Sequence, residues 1–71
     1  MITLTRFNGS AVVVNAELIK LVESTPDTII TLIGGDKVLV KESVPDVVGR
    51  VIEYRRQVFQ HLVFFRPEAD T

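Results

Sequence analysis

Two periods of apolar and polar residues divide the chain, and they change over at Glu42-Ser43. Upstream, Ile2 to Phe7 alternates apolar and polar side chains, Asn8-Gly9 offers the positive-φ dipeptide of a tight hairpin, and Ala11 to Val14 returns as a second strand. Asn15-Ala16-Glu17 can cap a helical turn, with Leu18, Leu21 and Val22 at helical spacing, although the same run also suits a strand. The favoured reading is a short turn followed by a strand over about 19–23. Ser24-Thr25-Pro26-Asp27 is dense in turn formers, and Pro26 drives Thr25 out of helical geometry, so the chain reverses there. The β-branched run Thr28 to Ile33, the turn Gly34-Gly35-Asp36 and the returning Lys37 to Lys41 predict a second hairpin.

Downstream of the switch, Ser43-Val44-Pro45-Asp46 reads as a helix start. Ser43 is the N-cap, Asp46 occupies a capping-box position, and Pro45 falls in the first turn, where its missing N–H does no harm. Val44, Val47, Val48, Val51, Val58 and Leu62 then follow one helical stripe, interrupted by Arg55, with Arg50, Glu53, Arg56, Gln57 and Gln60 largely off it. The pattern predicts a single α+β domain over residues 1–66, with strands at about 2–41 and one C-terminal amphipathic helix at about 43–65, followed by a polar tail, 67–71. Five short strands joined by tight turns imply a small antiparallel meander sheet or an open barrel.

Composition narrows what such a domain can do. The 71 residues include no cysteine and one histidine, so disulfides and multi-ligand zinc or iron sites are unavailable as staples, and stability must come from packing. Yet 46% of the residues are hydrophobic and mean hydropathy is +0.30, rich for so small a domain, which points to apolar surface at a subunit or partner interface. A net charge of −1 and a pI near 5.7 lack the cationic excess of a general nucleic-acid binder. No apolar run approaches the length that spans a bilayer, and no leader pattern opens the chain, so the expectation is a cytoplasmic protein whose membrane association, if any, runs through a partner.

Candidate chemistry is sparse. His61 is far in sequence from any serine in an elbow context, and Gly34-Gly35-Asp36-Lys37 lacks the second glycine and Lys-Ser/Thr ending of a phosphate loop. No catalytic residue, cofactor, metal or small-molecule substrate is therefore expected. Arg50, Tyr54, Arg55 and Arg56 form the one local basic cluster. They could hold phosphates and bases in a small single-stranded nucleic-acid-binding barrel, but a solvated helix face or an arginine-lined protein interface accounts for them better. The apolar end of the helix, with Phe59, Leu62, Val63, Phe64 and Phe65, would be an aggregation hazard if left open, so it is expected to be covered, with a neighbouring subunit favoured over the chain's own sheet.

In chain order, Ile2-Thr3-Leu4-Thr5-Arg6-Phe7-Asn8-Gly9, Asn15-Ala16-Glu17-Leu18-Ile19, Glu23-Ser24-Thr25-Pro26-Asp27-Thr28, Gly35-Asp36-Lys37, Val40-Lys41-Glu42-Ser43 and Ile52-Glu53-Tyr54-Arg55-Arg56 resemble the small bacterial flagellar FlbD family of swarming-motility (SwrD-like) proteins. The resemblance runs from Met1 to about Arg56, with Gly34 standing where the family pattern has Asn, a change that a two-residue type I′ turn would accommodate. It implies a non-catalytic accessory of the flagellum, linked to motor power and swarming, with motor or stator proteins as partners and a homo-oligomer as the expected state. The family supplies no catalytic residues to transfer.

Overall fold

The computed structural model describes residues 1–65, and their side chains as far as Gln60. Strands β1 (Ile2–Thr5), β2 (Ala11–Val14), β3 (Ile19–Ser24), β4 (Thr28–Leu32) and β5 (Lys37–Val40) precede one helix, α1 (Val44–Phe65), and a 3₁₀ turn at Ala16–Leu18 stands between β2 and β3. The predicted α+β order holds, but the strands do not form one five-stranded sheet. β1 and β2 pair as a two-stranded sheet, and β3-β4-β5 form a second of three strands. The two meet at a single antiparallel bridge, Arg6 with Val40, reinforced by the Lys41 N–H donating to the Thr5 carbonyl at 2.8 Å.

The β1–β2 and β4–β5 hairpins turn through the same loop geometry. In the first, Arg6 N–H donates to the Ser10 carbonyl at 2.8 Å and Gly9 N–H to the Arg6 carbonyl at 2.9 Å, with Gly9 at φ +92°. In the second, Leu32 N–H donates to the Asp36 carbonyl and Gly35 N–H to the Leu32 carbonyl, both at 2.8 Å, with Gly35 at φ +100°. This is the three-residue loop closed by a glycine bulge rather than a two-residue type I′ turn, so one residue per loop must adopt positive φ. Asn8 instead accepts from the Ser10 N–H and hydroxyl through Oδ1, at 2.9 and 2.7 Å. Between β3 and β4 the Thr25-Pro26 bond is cis.

Alternation along the strands builds the core. Ile2 and Leu4 of β1, Val14 of β2, Ile30 of β4 and Val40 of β5 are buried together with Ala16 and with Val47 of α1. Thr3, Val13 and Leu39, one residue out of phase, face solvent. β3 departs from simple alternation because Ile19 pairs with Leu32 and Leu21 with Thr31, leaving Lys20 as an extra, bulged residue. The slip lets Ile19 and Val22 both pack on the core while Leu21 turns outward.

The helix joins this core through Val47, fully buried, flanked by partly buried Val44, Val51 and Tyr54. Its N-terminus is capped as expected: Ser43 Oγ accepts from the Asp46 N–H at 3.2 Å, and the Ser43 carbonyl from the Val47 N–H at 2.9 Å. The expected reciprocal half of a capping box is replaced, since the Asp46 carboxylate accepts from Arg50, at 3.4 and 3.5 Å. No described helix is long and apolar enough to cross a membrane.

Candidate functional site

At 3.6 residues per turn, Arg50, Arg55 and Arg56 are distributed around α1, with Arg55 and Arg56 rotated from Arg50 by roughly 140° and 240°. The structure therefore does not gather the predicted basic cluster on one surface. Arg50 flanks the core-facing stripe on the β1 side, where its Nη1 donates to the Thr3 carbonyl at 2.6 Å. It also lies 3.4 Å from Asp46 and 3.8 Å from Glu42. Arg55 flanks the other side and reaches Glu17 of the 3₁₀ turn at 3.6 Å. Arg56 points away from the sheet and pairs with Glu53 at 3.7 Å. Tyr54 is partly buried, packs against the core and lines a surface pocket on the β1 side with Thr3 and Arg50, apart from Arg55 and Arg56.

The Arg50 flank is closed by a carboxylate that sequence reasoning did not single out. Glu42 has a side chain only 9% exposed and accepts from the Thr5 N–H at 3.0 Å and from the Thr5 hydroxyl at 2.9 Å. The backbone hydrogen bond from Thr5 is the chief cause of a carboxyl pKa below its ordinary value of 4.5, outweighing burial, and Arg50 adds to the lowering. This clamp ties β1, the β5–α1 link and the first turns of the helix together. Its sequence signal is faint: Glu42 belongs to the Val-Lys-Glu-Ser landmark, but nothing in spacing marks Thr5 as its partner.

The opposite flank is open. A groove of about 340 Å³ runs between β3 and α1, walled by Ile19, Leu21 and Val22 on one side and by Val48, Val51 and Ile52 on the other, with Lys20 and Arg55 among its lining. Val48 is 43% and Ile52 55% exposed. Further along the helix Val58 and Phe59 are 40% and 66% exposed. Phe59 is thus placed outside the core, whereas the side chains of Leu62, Val63, Phe64 and Phe65, like His61 and the tail 67–71, lie outside the described residues. The spacing of Val48, Ile52, Arg55 and Phe59, at intervals of four, three and four, is a second stripe that could have been found in the sequence.

These features define a class of small α+β domain in which a capped helix is clamped to a split sheet on one flank and left apolar and open on the other. A profile of the family described as "Flagellar and Swarming motility proteins" matches residues 1–59, most of the chain and all five strands, and the chain belongs to this FlbD family. No curated protein and no solved structure matches it. The family match ends where the apolar end of the helix begins, just beyond the stretch over which the sequence resemblance runs.

Proposed function

We propose that the chain is a non-catalytic accessory of the flagellar motor, acting at its cytoplasmic side by protein-protein contacts with motor or stator components and so supporting motor power and swarming. Membership of a flagellar and motility family carries the association with motility. The observation that carries the contact role is the apolar surface left open on α1, Val48, Ile52 and Phe59 on the flank beside β3 and Val58 further along the helix, all at 40% to 66% exposure. Holding that much apolar surface open on a chain of 71 residues disfavours a purely solvated helix face.

Self-association is part of the same proposal. The apolar run Leu62 to Phe65, read from the sequence, is of a composition suited to burial against another subunit. Sedimentation velocity at micromolar concentration should show an oligomer that Leu62→Asp or Phe65→Asp disperses; a monomeric wild-type protein would remove this part. The motor reading is tested by deleting the gene in the organism that makes the protein and measuring swimming, swarming and the torque of tethered cells. Filaments that assemble but turn with reduced torque are expected, and unchanged torque and swarming would overturn the reading.

A further inference from the structure

The groove between β3 and α1 differs from the rest of the surface in having two properties at once. Its helical wall belongs to a seam, Val48, Ile52, Arg55 and Phe59, with the four-three-four spacing along which one helix receives another, and Phe59 continues that seam past the groove. Among the described residues its charged lining is of one sign: Lys20 and Arg55 are its two charged side chains, and no carboxylate lines it. Lys20 has no ion-pair partner among the described residues, and Arg55 is held only by Glu17, 3.6 Å away with both side chains more than half exposed.

From this we infer that the groove docks an amphipathic α-helix of a partner protein, one whose apolar positions recur every three to four residues and whose flanking positions carry Asp or Glu. The apolar face would fill the trough between Leu21 and Ile52, and its carboxylates would meet Lys20 and Arg55, competing with Glu17 for the guanidinium. An added strand fits less well, because the Lys20 bulge and its charge break the ladder at the outer edge of β3, the means by which edge strands resist pairing. A second copy of this chain also fits less well, since its own seam would bring another Arg55 toward Lys20 and Arg55. The inference rests on, and deepens, the reading that the protein works through protein contacts.

The test uses the full-length chain, isotope-labelled for NMR, and two synthetic helical peptides with the same leucine seam, one flanked by Glu and the other by Lys. The Glu peptide should shift the amides of Leu21, Val48 and Ile52, and the double variant Lys20→Glu, Arg55→Glu should bind it about tenfold more weakly while gaining affinity for the Lys peptide. Glu17→Gln should tighten the Glu peptide by roughly threefold, as expected for releasing an exposed ion pair. Retained spectral dispersion confirms that each variant is folded. Equal binding of both peptides, shifts confined to another face, tighter binding of an extended acidic peptide, or no binding would each overturn the inference.

In cells, a photo-cross-linking residue in place of Ile52 should capture an acidic helical segment of another protein; capture of a second copy, or of nothing, would likewise overturn it. A torque defect on deletion without such a cross-link would remove the groove assignment and leave the motor reading in place. A cross-link without any motility defect would do the reverse.

Discussion

The two flanks of α1 present the same residue type in opposite states. On the β1 side, Arg50 is tied to a backbone carbonyl and faces two carboxylates, one of them the nearly buried Glu42. On the β3 side, Arg55 lines an apolar trough and is paired with a single exposed carboxylate. An arginine's contribution to the fold is thus set by its angular position on the helix, and proximity in sequence is a poor guide to it. The clamped flank fixes where the helix leaves the sheet, and the flank beside β3 presents an apolar groove with unclamped cations.

The contrast is broken most severely at its pivot. Val47→Asp places a carboxylate at a fully buried position facing Leu4, Ile30 and the rest of the core cluster, and loss of a cooperative thermal transition is expected. Val48→Asp, one residue along and on the open flank, should retain the transition with a change of about 0.5 kcal/mol or less, since exposed substitutions away from special features cost little. Equal damage from both would show that the open flank is packed in solution.

Next in size is the clamp. Glu42→Ala removes the acceptor of two hydrogen bonds from Thr5 and leaves a part-buried N–H without a partner, which should cost about 2 kcal/mol in denaturant unfolding. Arg55→Ala should cost about 0.5 kcal/mol or less, because its ion pair is exposed and screened. The carboxylate also imposes a direction on acid unfolding. Its folded pKa lies below the ordinary 4.5, so its contribution is fully present above that value and is lost as pH falls through the lowered one. Glu42→Gln should therefore flatten the stability profile below pH 4.5 relative to wild type. A profile of unchanged slope would place the acid sensitivity elsewhere.

One substitution in the helix has an expected effect of the opposite sign. Gly49 lies inside α1, where an added Cβ would meet nothing within 4 Å. Gly49→Ala should raise stability by about 0.5 to 1 kcal/mol through helix propensity alone, read as an increase in denaturation midpoint.

Much of the fold is legible because local signals agree: the alternation of β1, the positive-φ glycines of both hairpins, the Thr25-Pro26 reversal and the Ser43 cap each specify their own geometry. The division of the strands into two sheets is not legible, because it depends on where Arg6 meets Val40, a contact between residues far apart in sequence. The register of β3 is hidden for a related reason, since a bulge at Lys20 cancels the periodicity by which strands are recognised. For the site, Phe59 is 66% exposed in the single chain, and what would cover it is not legible in the sequence. The arginines are near one another along the chain, which says nothing of their separation by roughly 100° to 140° about the helix axis. Tyr54, ranked among them as an aromatic partner, is spent on the core.

The bulge also has a meaning in terms of chain length. Ile19 and Val22 would face the core equally well in a regular strand with Lys20 deleted, because the remaining residues already match the ladder of β4. Counted against the sheet, the chain is one residue longer here than its own packing requires. The surplus residue is the cation that lines the open groove with no carboxylate beside it among the described residues.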